Sequence, residues 1–332
     1  MDIDLTRWPI TPRALERIGP GVNNETYTVD AAEGAFVLRI YRNATELEAV
    51  RPEHELLGRL ALVELPFEIP RLVASRAGDT VVVFETPAGP SLAALFHRIA
   101  GTPPPIDSPH ARIAAAALAR LDIALATIDQ SIGRAMVSPR DVHPLVDDPI
   151  AALDDVGLGA DLPAVRAALD QVDLEEHPIV ASLPRQIIHG DFGLSNTLVR
   201  NGRVVGVVDF EVAGPDVRAM DLATLIYITV VRTPLERRWA VLGALCDGYR
   251  SILPLDPTEI AALPALVMRH AAISFAHWTG RWRQGVSPVD DARERARRIL
   301  RLAEWLAADG ARLVAVASGV DKPAPTDKPA PM

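Results

Sequence analysis

The amino-acid sequence predicts an α+β protein of two lobes, in which a small antiparallel sheet with one helix precedes a larger, mainly helical lobe. Three observations predict this class. Short runs with the composition of strands lie before residue 86, whereas most later apolar segments have helical spacing. Between the two regions, residues 86–90 read Thr-Pro-Ala-Gly-Pro, and such a concentration of proline and glycine interrupts regular structure.

The predicted small lobe, residues 1–86, follows the order β-β-α-β-β. Strands are expected at residues 25–29 and 35–41, on either side of a turn that ends at Gly34. Helical spacing and strong helix formers predict a helix at 46–62, and two further strands are expected at 71–75 and 80–85. Residues 19–24 form a loop rich in glycine and asparagine, which tolerate unusual backbone angles.

The predicted large lobe, residues 87–315, is mainly helical. Two strands, 196–200 and 204–208, flank Asn201-Gly202, a pair that strongly favours a tight hairpin. The tail, residues 316–332, repeats Asp-Lys-Pro-Ala-Pro, is too rich in proline to pack and is expected to be disordered. Helical spacing predicts helices at 91–99, 108–129, 150–173, 219–231, 235–251, 257–283 and 289–308.

Size and composition argue against several classes of protein. The 332 residues carry a net charge of −9, which argues against general nucleic-acid binding. No N-terminal segment has the pattern of a signal peptide, and the long apolar region 113–128 is too short and too charged to span a bilayer. A single cysteine, Cys246, excludes an internal disulfide and a cysteine-based zinc site. We therefore expect a cytoplasmic protein without a membrane partner, and its oligomeric state stays open.

One stretch of the large lobe has the pattern of a phosphoryl-transfer site. Asp191 lies in Ile188-His189-Gly190-Asp191, Asn196 follows five positions later, and Asp209 ends an apolar strand. Phosphoryl transfer needs a carboxylate that orients the attacking hydroxyl, and oxygen ligands that hold magnesium on the phosphates. Each residue alone is equally compatible with a turn or a helix cap. Together they predict Asp191 as the catalytic residue and Asn196 and Asp209 as metal ligands.

These motifs resemble the aminoglycoside phosphotransferase and homoserine kinase type II superfamily, which has the bilobal protein-kinase-like fold. Residues 188–196 resemble its catalytic loop, residues 208–211 its metal-binding strand end, and residues 221–223 a structural segment in which Asp221 anchors backbone. The resemblance covers roughly residues 15–310 and implies ATP and Mg²⁺ as cofactors.

The resemblance extends to the nucleotide-binding elements of the small lobe. The segment 21–27 resembles the nucleotide loop of the family and implies that Gly21, Asn23 and Asn24 contact the nucleotide, although an ordinary turn is the alternative. Glu85 and Thr86 are expected to offer backbone groups to adenine as a hinge, although a plain linker is the alternative.

Arg39 stands where kinases usually carry a phosphate-binding lysine. Arginine is a good phosphate ligand, and the only lysines of the chain, Lys322 and Lys328, lie in the tail. The resemblance implies Glu53 as the ion-pair partner of Arg39. Glu55 is the competing candidate and lies on a different helix face.

The spacing after Asp209 indicates a small-molecule acceptor rather than a protein. Only twelve positions separate Asp209 from Asp221 (221 − 209), which leaves no room for a long activation segment. Acceptor contacts are expected from the late helices, where three positions of one helix face suit a carboxylate, although a solvated face is the alternative. The candidates are Asp216, Tyr227, Arg232, Tyr249, Arg269, His270, His277, Trp278, Arg281 and Trp282, and the three on one face are Arg269, His277 and Arg281.

The sequence therefore predicts an ATP-dependent phosphotransferase that phosphorylates a hydroxyl of a small molecule, with homoserine or a similar amino alcohol favoured. One alternative is an aminoglycoside-type antibiotic kinase. An alternative of another class is a catalytically inactive nucleotide-binding pseudokinase, against which the intact Asp191, Asn196 and Asp209 argue.

Overall fold

The structure, a computed structural model, describes residues 3–18, 24–42, 46–86, 89–133, 138–172 and 181–323. It confirms the predicted α+β class, because an antiparallel sheet with one helix precedes a mainly helical lobe. The elements of the first lobe are β1 (Pro12–Ile18), β2 (Asn24–Ala31), β3 (Gly34–Tyr41), α1 (Leu47–Leu60), β4 (Leu72–Val73), β5 (Val82–Thr86) and β6 (Gly89–His97).

The described part of the second lobe contains four short strands among its helices. A hairpin of two of these strands turns at Asn201-Gly202, where both residues have positive φ, as a tight hairpin turn requires. The elements are α2 (Ser108–Leu125), α3 (Pro149–Ala152), α4 (Leu162–Asp170), β7 (Arg185–Ile188), β8 (Thr197–Arg200), β9 (Arg203–Val207), β10 (Gly214–Val217), α5 (Ala219–Arg232), α6 (Leu235–Arg250), α7 (Pro257–Arg283) and α8 (Val289–Ser318).

The sheet of the first lobe places Arg39 on the side of α1. Its order is β1-β2-β3-β6-β4, with β5 also paired to β6, and all of its neighbouring strands are antiparallel. On β3, Phe36, Leu38 and Ile40 pack into one core with Trp8. Because alternate side chains of a strand point to opposite faces, Arg39 emerges on the other face, where it meets α1.

The helix predicted at residues 91–99 is wrong, because these residues belong to strand β6. Leucine and alanine favour helices, but β6 lies between β3 on one side and β4 and β5 on the other. Leu92, Ala94 and Phe96 enter one hydrophobic core, whereas Ala93 and Leu95 enter the other. A strand that is buried on both faces has a continuous apolar sequence, and its local pattern cannot be told from that of a buried helix.

The single helix predicted at 150–173 is also wrong. The chain forms α3 and α4 instead, separated by residues that include Gly157 and Gly159, both at positive φ. Positive φ interrupts a right-handed helix and is readily adopted by glycine. By contrast, α7 has the predicted bounds, and its first turn is fixed by a capping box between Asp256 and Glu259.

Helix α7 is the one helix of the described ranges that is long and apolar enough to cross a membrane by length and composition. More than half of its most apolar window is buried inside the protein. Leu263, Leu266 and Phe275 are fully buried and belong to the main hydrophobic core. Its apolar composition is therefore that of a core helix.

The division of the chain after residue 86 stays a prediction. Strand β6, which that division assigns to the large lobe, is paired with β3 in the sheet of the first lobe, so a division after His97 agrees better with the sheet. The predicted tail began at residue 316, but α8 continues to Ser318. Residues 324–332 lie outside the described part of the chain.

Candidate active site

Strand pairing brings the two key loops of the second lobe together. β7 and β10 are antiparallel, and Ile188 lies opposite Gly214. Residues 189–191, which follow β7, are therefore adjacent to residues 209–213, which precede β10. Gly190 has a φ of +80°, and a Cβ there would lie 3.0 Å from the carbonyl oxygen of Val212. Glycine at this position allows the close approach of the two loops.

His189 supports the catalytic loop from inside the protein. The ring is fully buried and packs against Phe192 and Phe210. Its Nε2 lies 3.1 Å from the carbonyl oxygen of Val208, and its Nδ1 accepts the backbone N–H of Asp191 at 3.3 Å. These partners assign a neutral ring with the proton on Nε2, in agreement with a pKa that burial lowers. His189 is therefore a structural residue.

Asp221, in the first turn of α5, fixes the backbone of the same loop. Its two carboxylate oxygens accept the N–H groups of His189 at 2.7 Å and of Gly190 at 2.8 Å. The side chain is fully buried and does not reach the surface of the cleft. The expectation that Asp221 anchors backbone agrees with this geometry.

A second buried carboxyl group, Asp122 on α2, lies beside Asp221. Tyr249 donates its hydroxyl to Asp122 Oδ2 at 2.6 Å, whereas Asp122 Oδ1 receives no hydrogen from any described residue. Burial, followed by the charge of Asp221, raises the pKa of Asp122 well above its usual value. We assign a proton to Asp122, which then donates to Asp221 and satisfies both groups.

We expect Asp221→Asn to lower the free energy of unfolding by about 1–3 kcal/mol, because one of the two buried N–H groups loses its acceptor. Turnover should fall with it. Asp122→Asn is the matched control, since its amide still donates to Asp221 and still accepts from Tyr249, and it should cost less than about 1 kcal/mol. Urea unfolding measures both. An equal or larger loss in Asp122→Asn would contradict the protonated state of Asp122.

Asn196 is held with its amide nitrogen toward the catalytic loop. Nδ2 donates to the carbonyl oxygen of Asp191 at 2.9 Å and approaches Asp191 Oδ2 at 3.4 Å. The amide oxygen is thereby turned away from Asp191. The backbone N–H of Val208 donates to the carbonyl oxygen of Asn196 at 2.9 Å, which places Asn196 at the same end of the β8–β9 hairpin as Asp209.

Asp209 has a left-handed backbone, with a φ of 72°. Apart from glycine, asparagine and aspartate are among the residues most often found there, and such conformations are concentrated at functional sites. Arg39 Nη2 lies 3.4 Å from Asp209 Oδ1. The carboxylate is about one-third exposed. The described oxygens of Asp209 and Asn196 form a donor set that suits a hard divalent cation.

An ion-pair chain joins the two lobes. Arg39 Nη1 donates to Glu53 Oε1 at 2.8 Å while Arg39 Nη2 contacts Asp209. The guanidinium also lies over the ring of Phe96, with its Cζ 5.4 Å from the ring centroid. Glu53 is buried on α1, whereas Glu55 is exposed and pairs with Arg59. The structure therefore brings together Arg39 and Glu53, the pair that the resemblance implied.

The carboxylate of Asp191 lies among other acidic groups. The residue is exposed to solvent on one side, but the protein crowds its carboxylate, and this loss of hydration raises the pKa to about 7. The negative charges of Asp209 and Glu211 act in the same direction, while the hydrogen bond from Asn196 acts against them. Its acid–base equilibrium therefore lies near neutrality.

Of the three residues predicted for the nucleotide loop, the structure describes Asn24. Asn24 opens β2 and donates its amide to Glu211 Oε2 at 2.7 Å, so that it links the two lobes. Gly21 and Asn23 lie outside the described residues. The contact between Asn24 and Glu211 carried no signal in the sequence, because the two residues are far apart along the chain.

The hinge assigned to Glu85 and Thr86 stays a prediction. Their backbone pairs with Pro90 and Gly89 in the β5–β6 hairpin, so this segment turns back within the sheet of the first lobe. The connection to the second lobe follows β6, after His97. The two residues end strand β5, and no other described strand pairs with the second edge of β5, so that edge stays available for backbone contacts with adenine.

Two of the predicted acceptor residues, Arg269 and Asp216, form an ion pair with each other. Arg269 Nη1 donates to Asp216 at 3.0 and 3.3 Å, and Asp216 is fully buried. His270 contacts Thr224 and packs against Tyr227, with its pKa lowered to about 4 by burial. These contacts stabilise the packing of α7 against α5 and β10, and a role of Arg269 toward a substrate carboxylate stays a prediction.

A cationic cluster remains farther along α7. Arg281 and Arg295 lie over the ring of Trp278, with their Cζ atoms 5.5 and 4.5 Å from its centroid. Burial lowers the pKa of Arg281, and the negative charges of Asp291 and Glu211 oppose that shift. Glu211 is two residues from Asp209, so this cluster lies on the side of the site where the catalytic loops meet.

Comparisons with known proteins agree with this architecture. Residues 14–255 match the phosphotransferase enzyme family (APH), which is more than half of the chain. The chain belongs to the phosphotransferase enzyme family. A homoserine kinase of Gluconobacter oxydans (strain 621H) is 31% identical over 261 residues, which is 78% of this chain and 79% of that protein. The family match and this relative identify a small-molecule kinase that phosphorylates a hydroxyl group.

Two solved structures share the fold of this family member. A microcompartment-associated aminopropanol kinase superposes with a TM-score of 0.65 at 20% identity and covers 93% of this chain and 97% of its own. The amicoumacin kinase hAmiN, solved with AMP-PNP, Ca²⁺ and Ami, has a TM-score of 0.61 at 15% identity and covers 89% and 88%. At these identities the likeness establishes the kinase-like fold alone.

Proposed function

We propose that this phosphotransferase uses ATP and Mg²⁺ to phosphorylate the hydroxyl of homoserine or a similar amino alcohol. The observation that carries the proposal is the clustering of Asp191, Asn196 and Asp209 at paired loop ends, in a chain that is similar to a homoserine kinase over most of its length. We place it in the cytoplasm, with a small-molecule acceptor as its partner.

Asp191 is the proposed catalytic residue. It accepts a hydrogen bond from the acceptor hydroxyl and orients that oxygen toward the γ-phosphoryl group of ATP. It takes the hydroxyl proton as the new P–O bond forms and the bond to the β,γ-bridging oxygen breaks, so that ADP leaves. Positioning is the main contribution, because the transition state of phosphoryl transfer is loose and needs little help from a base. The pKa of about 7 suits this role, since such a carboxylate is ionised at slightly alkaline pH and still accepts a proton.

Asn196 and Asp209 are the proposed metal ligands. Mg²⁺ prefers oxygen ligands and usually keeps several waters, so two protein ligands suffice when the nucleotide phosphates supply others. A bound Mg²⁺ neutralises charge on the phosphates. Arg39, held by Glu53 on one side and near Asp209 on the other, binds the phosphates in place of the usual lysine. AMP-PNP and Ca²⁺ in the related amicoumacin kinase support a nucleotide with a divalent metal.

The nucleotide also requires contacts that hold its base and cover its phosphates. We retain Gly21, Asn23 and Asn24 as the proposed nucleotide loop, in which Asn24 bridges to Glu211. Glu85 and Thr86, at the end of β5, stay the proposed hinge, whose backbone groups contact adenine. Strand β6, with which β5 pairs, lies beside β3, which carries Arg39.

The cationic cluster on α7 and α8 favours an acceptor with a carboxylate. Arg281 and Arg295 flank Trp278, and the field of Glu211 reaches Arg281. A carboxylate gains charge-assisted hydrogen bonds from arginine, whereas a polycationic aminoglycoside meets like charge. The cluster therefore supports homoserine over an aminoglycoside.

The acceptor is tested by measuring ADP release against homoserine, 1-amino-2-propanol, kanamycin and glucose at equal concentrations. We expect the highest kcat/KM for homoserine, and Arg281→Gln should raise its KM by about tenfold with a smaller effect on kcat. Arg283→Gln, an exposed neighbour on the same helix, is the matched control. A preference for kanamycin would contradict the carboxylate assignment.

The pH dependence tests the environment of Asp191. Because the ionised carboxylate is the active form, kcat/KM should rise with pH and level off above the pKa of about 7, instead of near 4 as for an ordinary aspartate. Glu211→Gln removes a negative charge and should move this acid limb to lower pH. Initial rates between pH 5 and 9 measure both profiles. An acid limb that stays in place in Glu211→Gln would contradict the assignment of the limb to Asp191.

A further inference from the structure

A second cavity lies in the first lobe, outside the site described above. It has a volume of about 780 Å³ and lies between the N-terminal segment, α1 and the β4–β5 connection. This volume is ample for a small metabolite. Its lining carries charges of both signs beside an apolar wall. The charged residues are Arg7, Arg51, Arg76, Asp4 and Asp79, and the apolar ones include Leu47 and Val81–Val83.

Two of these charges have no partner of their own in the described part of the chain. Arg51 is exposed on α1 and makes no hydrogen bond or ion pair with any described residue. The carboxylate of Asp79 likewise receives no donor there. Arg76 donates its Nε to the carbonyl oxygen of Thr6 at 3.0 Å, which holds its guanidinium at the cavity. A cation and an anion therefore face one cavity without neutralising each other.

We propose that this cavity binds a small aliphatic amino acid as a regulatory ligand. Arg51 and Arg76 receive the carboxylate, for which the guanidinium fork is well suited. Asp79 receives the ammonium group. Leu47 and Val83, both more than one-third exposed, cover the aliphatic side chain and lose that exposure. A zwitterion with an apolar side chain satisfies all three parts of the lining.

A continuous hydrogen-bond chain connects the cavity to the catalytic centre. His54, which lines the cavity, contacts Thr80 through Nδ1 at 2.8 Å and Tyr41 through Nε2 at 3.0 Å. Tyr41 donates its hydroxyl to Glu53 Oε2 at 3.4 Å, and Glu53 holds Arg39. Arg39 in turn contacts Asp209.

From Thr80 through His54 to Tyr41, the donors of this chain all point toward Glu53. Because the Tyr41 hydroxyl hydrogen is used on Glu53, His54 Nε2 donates to the Tyr41 oxygen, and Nδ1 accepts from Thr80. Arg51 lies on α1, which also carries His54 and Glu53, so a ligand that binds Arg51 contacts this helix. A shift of α1 changes the distance between Glu53 and Arg39, which links the cavity to nucleotide affinity.

Binding is tested by isothermal calorimetry on the full chain with L-valine as the probe. We expect saturable binding at one site, weakened at least tenfold in the double variant Arg51→Ala/Arg76→Ala and unchanged in Arg59→Ala, an arginine of the same helix outside the cavity. Isovalerate, which lacks the ammonium group, should bind more weakly than valine. Absence of saturable binding, equal binding by the double variant, or a response to inorganic phosphate alone would overturn the proposal.

Coupling is tested with Mg²⁺ and AMP-PNP, so that no acceptor is needed and a wrong acceptor assignment does not affect the result. Saturating valine should change the affinity for the nucleotide by at least about fivefold, and by linkage the nucleotide should change the affinity for valine by the same factor. Tyr41→Phe breaks the chain between His54 and Glu53 while keeping the ring. It should bind valine normally and lose the coupling. Valine binding without any change in nucleotide affinity would overturn the regulatory role.

Discussion

Asp191→Asn is expected to reduce kcat by about a thousandfold while nucleotide affinity changes little. The amide keeps the shape of the side chain and its contact with Asn196, but it no longer accepts a proton and orients the acceptor hydroxyl poorly. The variant also removes one negative charge from the cluster of Asp191, Asp209 and Glu211, which reduces the repulsion between this cluster and the phosphates. The affinity for the metal-free nucleotide should therefore not fall. Single-turnover phosphoryl transfer measures the chemical step, and calorimetry with AMP-PNP measures binding.

Ser195→Ala is the matched control for this variant. Ser195 is an exposed residue of the same loop and takes no part in the proposed chemistry. It should keep near-normal turnover. If Asp191→Asn retained turnover close to that of the unaltered protein, the role of Asp191 would be wrong, and if it lost nucleotide affinity as well, the residue would act in binding.

Asp209→Asn is expected to weaken binding of the Mg²⁺–nucleotide complex by about two orders of magnitude, roughly 3 kcal/mol. The variant removes a charged metal ligand and the partner of Arg39. Asparagine is the informative substitution, because it tolerates the left-handed backbone at this position, whereas alanine adds backbone strain to the loss of the ligand. Turnover should fall in parallel.

Metal-free nucleotide binding provides the control for this second variant. Without Mg²⁺, AMP-PNP should bind Asp209→Asn at least as well as the unaltered protein, since a negative charge near the phosphates has been removed. Calorimetry with and without Mg²⁺ separates the two effects. Equal Mg²⁺ dependence in both proteins would show that Asp209 does not hold the metal.

The sequence predicted the local parts of the site well. The hairpin at Asn201-Gly202, the pair of Arg39 with Glu53 and the anchoring role of Asp221 all appear in the structure. Each depends on a short segment with a specific chemical requirement, or on motif spacing shared with a family. Helix α7 has the predicted bounds for the same reason, because its cap is encoded in adjacent residues.

The errors arose where pairing partners distant in sequence decide the structure. β6 has the composition of a helix, but it lies between β3 on one side and β4 and β5 on the other side of the sheet. The helical spacing placed Arg269 on a face that could contact a substrate. In the structure, Arg269 forms an ion pair with buried Asp216. Asp216 lies far along the chain from Arg269, and β3 lies far along the chain from β6.

The sequence by itself determined the reaction type, because phosphoryl transfer requires a carboxylate, an amide and a second carboxylate at fixed spacings, and residues 188–211 supply them. Only the tertiary structure decided the protonation of the buried carboxyl groups and the hydrogen bonds that connect α1 to the site. Burial raises the pKa of Asp191 to about 7 and favours a proton on Asp122, and the chain from Thr80 through His54 to Arg39 exists only once α1 packs on the sheet. Hydration and distance between remote residues are set by folding, so no local window of sequence encodes them.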